Sequence, residues 1–279
     1  MVNSSPQFPG RTRVGIGGWN FAEWRAGVFY PPGLPQAREL EFASRHLTSI
    51  EINSTFYTAQ KPAIYARWRD ATPEGFQFSL KAHRLATQRG RLSDGTESVV
   101  RFLESGITDL GAKLGPIVWQ LAPYYAFDPD DLEYFLSLLP NALDGLPLRH
   151  VLEPRHESFA CAEYVRLARA YDVATVYTDS PDYPNIADVT SDFVYARLMR
   201  SEADEPTGYS TSELSLWGRR AQAWRAGETP KDLPLVVPES GAKAKAKRTP
   251  RDVFIYFISA AKARNPAAAQ ALIKQIDAL

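Results

Sequence analysis

The sequence has one cysteine, Cys161, and only four histidines in 279 residues. A single thiol excludes an intramolecular disulfide and any cluster of thiolate metal ligands, so the cysteine usage gives no sign of an oxidising compartment. Charge of either sign is in no excess: 32 Lys plus Arg balance 32 Asp plus Glu, a formal net charge of zero. A neutral chain has no global attraction for nucleic acid or an anionic membrane, although a local patch can still bind either. No apolar run approaches the ~18 residues of a membrane-spanning helix, and the most apolar stretch, 253–259, is strand-sized. Residues 1–13 contain Ser, Pro, Gln and Gly but no apolar segment of the kind a secretory signal needs. These absences set the expectation of a cytoplasmic protein with no membrane partner. What is present is an ordinary globular balance, 44% hydrophobic and 23% charged, with a raised aromatic share of 12% that suits a large core or a stacking pocket.

Eight short runs rich in β-branched and aromatic residues alternate with helix-like segments. They are 14–17, 49–53, 76–81, 117–121, 150–155, 175–179, 193–198 and 253–258. Apolar residues at helical spacing fill 40–47, and 63–68 follow Pro62, a suitable first-turn residue. Asp128-Pro129 and Asn265-Pro266 each read as an N-cap followed by proline, and Ser210 with Glu213 reads as a capping box ahead of 214–224. Strands alternating with helices predict a parallel sheet, and eight is the number that closes a barrel. The expected fold is a TIM-type (β/α)-barrel, a closed or nearly closed parallel barrel of seven to eight strands. It forms one domain over 1–279, with 1–12 a flexible N-terminal segment.

Residue parity then separates the two faces of each strand, because charge is costly on the side that meets the helices. Phe76, Phe78 and Leu80 oppose Gln77, Ser79 and Lys81, and Ile117, Trp119 and Leu121 oppose Gln120. Glu51 and Asn53 oppose Ile50 and Ile52. Val151, Glu153 and Arg155 share a face; so do Thr175, Tyr177 and Asp179, and so do Phe193, Tyr195 and Arg197. The charges are thus expected at the C-terminal rim of the lumen, where such barrels carry their sites. The bland alternative is a satisfied plug in which Glu51, Glu153 and Asp179 pair with Lys81, Arg155 and Arg197.

The motifs are Gly17-Gly18-Trp19, Trp24, Phe29-Tyr30-Pro31, Glu51-Ile52-Asn53-Ser54-Thr55-Phe56-Tyr57, Phe76-Gln77-Phe78 with Lys81, Gln120-Leu121 with Pro123, Glu153 with Arg155-His156, and Tyr195 with Arg197-Leu198. In this order they resemble the YecE-like family, also called domain of unknown function 72. The resemblance implies a TIM barrel and no assigned reaction. The chain departs from the family pattern in several places. Gln88 follows Thr87 where members tend to carry His, and Met199-Arg200 replace a His-Gly pair. Ile258-Ser259 stand in place of two asparagines, and Ala122 precedes Pro123 where a second proline is usual.

Three groups of residues carry the candidate chemistry. Glu51 and Glu153 are expected as acid and base, with Lys81 as a third catalytic candidate. Lys81, Arg155 and Arg197 form an anion clamp. An imine-forming role for Lys81 is disfavoured, since neighbouring carboxylates would raise its pKa. The aromatic set is Trp19, Trp24, Phe56, Tyr57 and Tyr177 with Tyr124 and Tyr125. Trp19, Phe56 and Tyr57, just past strand ends, are expected to stack on a ring. The alternative is loop packing against the rim, which is favoured for Trp24. Asn53, Gln120, His156, Asp179 and Tyr195 complete the expected ligand shell.

The ligand is expected to be small, polar and anionic, sugar- or nucleotide-like, handled by a hydrolase or lyase without a required cofactor. Nucleic acid is a less favoured partner, and the oligomeric state is not legible. One alternative is a non-catalytic module that binds nucleic acid or a protein. Another is a metal-dependent phosphodiesterase related to barrel-type endonucleases. A divalent ion held by His83 and His156 with Glu51, Glu153 and Asp179 is the minority reading, since no local ligand motif is present. The basic run Lys243, Lys245, Lys247, Arg248 and Arg251 falls on the face opposite the site and reads as a solvated loop, whereas 201–209 lies on the functional face as a lid candidate.

Overall fold

The computed structural model describes residues 10–238 and 249–278. Eight parallel strands close a barrel: β1 Thr12–Gly17, β2 Ser49–Ile52, β3 Gln77–Lys81, β4 Leu114–Gln120, β5 His150–Glu153, β6 Ala174–Thr178, β7 Phe193–Leu198 and β8 Asp252–Phe257. Each pairs with its neighbours in the sequence, and β1 closes on β8 through the register Val14↔Ile255. The expected barrel is thus present with all eight strands. A two-residue antiparallel hairpin, Ala142–Leu143 with Leu146–Pro147, precedes β5. Its turn residues Asp144 and Gly145 both have positive φ, 50° and 78°, as a tight hairpin whose twist matches its strands requires.

Among the described residues eight α-helices accompany the strands: α1 Glu39–His46, α2 Ser54–Tyr57, α3 Pro62–Asp70, α4 Thr96–Leu103, α5 Pro129–Ser137, α6 Ala162–Ala170, α7 Thr211–Arg225 and α8 Asn265–Asp277. Local chemistry sets their starts. Asp128 accepts from the Asp131 amide at 3.1 Å with Pro129 opening α5, and Ser210 and Glu213 form the reciprocal capping box of α7. At α8 the N-cap is Arg264, not Asn265. A 3-10 turn, Lys262–Arg264, runs straight into the helix, so Asn265 is already helical. Its buried amide instead accepts from Ser201 Oγ at 2.9 Å and donates to the Ser259 carbonyl at 3.2 Å.

Packing falls into two layers. Between strands and helices lie Trp119, Phe135 and Trp224 with the larger cluster. The lumen is filled by Val118, Val151, Ala174, Val176, Phe193, Tyr195, Phe254, Tyr256 and Ile258. Parity held for β2, β3, β4, β5 and β7 but failed for β6. There Ala174 and Val176 face inward, and Tyr177 packs outward against Trp217 and Trp224 of α7, with centroids 5.9 and 6.0 Å away. Thr175 likewise faces α6, within 2.9 Å of the Tyr164 hydroxyl. At the N-terminal end, Arg13 and Arg149 hold Asp252 at 3.2 and 2.9 Å and seal the bottom of the lumen.

Candidate functional site

The C-terminal ends of five strands bring Glu51, Lys81, Gln120, Glu153 and Arg197 into one layer of the lumen. Beneath it the Tyr256 hydroxyl touches Ser49 Oγ at 2.6 Å and Ser79 Oγ at 2.7 Å, which leaves these buried hydroxyls partnered. Arg197 is the centre of the layer. Its Nη2 donates to Glu51 Oε1 at 3.0 Å, and its Nη1 donates to both oxygens of Glu153 at 2.6 Å. Tyr195 donates to Glu51 Oε2 at 2.7 Å, and Gln120 donates to Glu153 Oε2 at 2.6 Å. Arg155 follows Pro154, which lacks an amide hydrogen and ends the strand. Its Nη2 donates to Glu153 Oε1 at 3.1 Å, while the guanidinium lies 4.3 Å from the centre of the Tyr183 ring.

Lys81 differs from the other cations. Among the described residues no carboxylate lies within ion-pair distance of its Nζ, which rests 3.9 Å from the centre of the Phe56 ring. The short helix α2 puts Phe56 there, because Thr55 Oγ donates to the Lys81 carbonyl at 2.7 Å and pins α2 to β3.

The protonation states follow from burial and charge together. For Lys81, burial and then the Arg197 charge outweigh the pull of Glu153 and Glu51, and its pKa falls to about 8. The carboxylates do pull it upward, as expected, but burial above all and the Arg197 charge outweigh them, so the net shift is downward. Burial alone would push Glu153 up, but Arg197, Arg155, Lys81 and the Gln120 hydrogen bond bring it down to about 2. Burial lowers the Arg197 pKa, yet Glu153 and Glu51 overrule it and the guanidinium stays charged. Glu153 therefore cannot serve as a proton donor near neutrality, and Lys81 can exchange a proton there.

Several expected residues stand elsewhere. Asp179 lies past the end of β6 on the outward parity, where it accepts from the Met199 amide at 2.6 Å and from the Tyr209 hydroxyl at 2.9 Å. It is no part of the charged layer. The loop 201–209 is fastened by that contact and by the Glu202 amide on the Gly208 carbonyl at 2.7 Å, which argues against a free lid. His156 is turned onto its own loop, accepting from the Ser158 amide at 3.2 Å, and His83 does the same with Leu85 at 3.3 Å. Tyr57 is 66% exposed, and its ring meets the Phe56 ring edge to face. Tyr125 donates to Asp131 at 2.8 Å, Tyr124 to the Gln88 carbonyl at 3.0 Å, and Tyr177 is buried behind the strand.

Trp19 and Asn53 line a groove of about 730 Å³ between the loop after β1 and helices α1 and α3, beside the charged layer. Sequence reasoning missed Tyr183 and Trp68. The only signal for Tyr183 was its place in a Pro-rich loop on the functional face. Lys243, Lys245, Lys247 and Arg248 lie outside the described residues; Arg251 donates to the Glu228 carbonyl at 3.3 Å. Among the described residues no three His, Cys, Asp or Glu side chains are placed to hold a metal ion. No described helix is long and apolar enough to cross a membrane.

The family model described as "Protein of unknown function DUF72" matches residues 13–278. The chain belongs to the DUF72 family. Among curated relatives, UPF0759 protein YecE of Escherichia coli K12 is 28% identical over 142 residues, 49% of this chain and 48% of that protein. UPF0759 protein YunF of Bacillus subtilis 168 is 27% identical over 151 residues, 52% and 51% of the two chains. The match thus spans about half the length of these relatives. A DUF72 protein of Thermotoga maritima MSB8 superimposes with a TM-score of 0.68 at 20% identity over 95% of this chain and 99% of that one. One from Enterococcus faecalis V583 gives 0.67 at 15% identity over 96% of each chain. The protein solved as SacUVDE gives 0.56 at 10% identity over 96% and 100%. At these identities the structural similarity speaks for the barrel fold alone. The motif-based resemblance to this family is borne out.

Proposed function

We propose that the mouth of this DUF72 barrel binds a small, hydroxylated anion of the sugar-phosphate class and that Lys81 moves a proton during its turnover, in a lyase- or hydrolase-type reaction. The observation that carries this reading is the charge imbalance of the layer. Among the described residues Lys81, Arg155 and Arg197 face only Glu51 and Glu153, a surplus of one positive charge. Arg197 and Arg155 are both engaged by the two carboxylates, so the surplus resides on Lys81. A purely structural plug would gain nothing from an extra buried cation, which costs desolvation energy unless something pairs with it.

Glu51 and Glu153 then act by holding Arg197 and the field around it rather than as an independent acid–base pair. Lys81, with a pKa of about 8, holds a proton at pH 7 and releases it within a unit or two above. The test is calorimetric titration with ribose 5-phosphate. Binding is expected to weaken about tenfold on Lys81→Met and on Arg155→Ala, and to weaken as pH rises from 7 to 9. Binding equal in the wild type and both variants at every pH would refute the reading.

A further inference from the structure

The groove beside the mouth has a chemistry of its own. At about 730 Å³ it is within the size range of small-molecule sites. Its walls include Trp19 and Trp68, whose rings meet edge to face at 5.4 Å, with Phe21, Leu40 and Ile64 beside them. No Asp or Glu lines it, and its one charged lining residue is Arg67 on α3. Among the described residues Arg67 has no ion pair, although it is exposed. The acid nearest in sequence, Asp70, is taken by Arg69 at 2.8 Å. The rim also carries uncommitted hydrogen-bonding groups. The side chains of Asn53 and Ser54 make no hydrogen bond among the described residues, and Asn53 provides no cap for α2. By contrast Asn20 Oδ1 is occupied, accepting from Arg25 and Gln36 at 2.7 Å each.

Aromatic walls, amide and hydroxyl groups at one edge and a single unpaired guanidinium select a particular ligand. A flat ring is held by the tryptophans, its polar edge by Asn53 and Ser54, and an anionic substituent by the Arg67 fork. A purely apolar guest would leave the guanidinium and the amide unanswered, and an inorganic anion would leave the aromatic walls unanswered. We propose that this groove is a second ligand site, taking a heteroaromatic ring that bears a phosphate, as in a nucleoside monophosphate. The site stands independently of the reading of the charged mouth: Arg67 and Trp68 belong to the groove, Arg155 and Tyr183 to the mouth.

The test uses the full chain with AMP and adenosine as probes, read by calorimetry and by tryptophan emission, since two of the six tryptophans line the groove. AMP is expected to bind and to change the emission. Arg67→Ala is expected to weaken AMP about tenfold while adenosine changes by less than about threefold, because only AMP carries the anionic group. Trp19→Leu is expected to weaken both. Arg67 is exposed and without an ion pair, so the Ala variant folds, and its melting temperature verifies this. No binding of AMP at millimolar concentration overturns the proposal. So does AMP binding that survives Arg67→Ala but is lost on Arg155→Ala, an outcome that places the nucleotide in the mouth.

Discussion

Replacing Arg197 by Met removes the one group that bonds both buried carboxylates. Glu51 and Glu153 are 0% and 2% exposed, and Arg197 itself is 2% exposed. Without the guanidinium Glu51 keeps the Tyr195 hydroxyl, and Glu153 keeps Gln120 and one nitrogen of Arg155. Breaking a buried pair in this way typically costs about 3–5 kcal/mol. The Glu153 shift gives an independent scale. A fall from 4.5 to about 2 corresponds to about 3 kcal/mol of preference for the ionised folded state, with Arg197 the largest favourable contributor.

The sign of the pH effect follows. In the wild type the Glu153 contribution is complete above the unfolded value near 4.5 and is lost as pH falls toward 2. In Arg197→Met, burial pushes the carboxyl up, and the variant regains part of its deficit once one carboxylate is protonated. Urea unfolding at pH 7 and pH 4 reads both quantities. A deficit of about 4 kcal/mol at pH 7 that narrows at pH 4 is expected. A variant within about 1 kcal/mol of wild type at pH 7 would refute the reasoning, and so would a deficit unchanged between the two conditions.

Two further outcomes test the frame that holds the site. Gly15 sits in β1 opposite Ser49, and a Cβ there would lie 1.9 Å from the Ser49 carbonyl oxygen; Gly15→Ala is expected to cost about 3 kcal/mol, read as a lowered urea midpoint. Asp131 accepts from the Leu92 and Ser93 amides at 2.7 and 3.1 Å and from the Tyr125 hydroxyl at 2.8 Å. Asp131→Asn is expected to cost about 1–3 kcal/mol, with faster proteolysis of the loop after β3 as the local readout.

The barrel was legible because its strands are short apolar runs at regular spacing, and because charge marks the lumen face wherever it occurs. Lys81, Glu153 and Arg197 each sit on a strand whose other face is apolar, so parity placed them correctly. It misplaced Asp179 because β6 offers weak contrast. Thr175 and Tyr177 have polar tips that suit either face, and the small Ala174 and Val176 are what the narrow lumen accepts. The strand also ends at Thr178, one residue short of the acid. The convergence of Arg197 on two carboxylates, and hence the solitude of Lys81, depends on contacts across 146 positions for Glu51 and 44 for Glu153. No local pattern encodes such partners. The same holds for Trp68, whose meeting with Trp19 creates the groove wall.

The state of the Lys81 amine is the most direct measure of the mouth's surplus charge. Reductive methylation with carbon-13 labelled formaldehyde, assigned by comparison with Lys81→Arg, lets its titration be followed by NMR. A midpoint near 8 is expected, well below the ordinary lysine value of 10.5. A midpoint at or above 10.5 would mean that the carboxylates hold the lysine after all, and the poised cation at the rim would not exist.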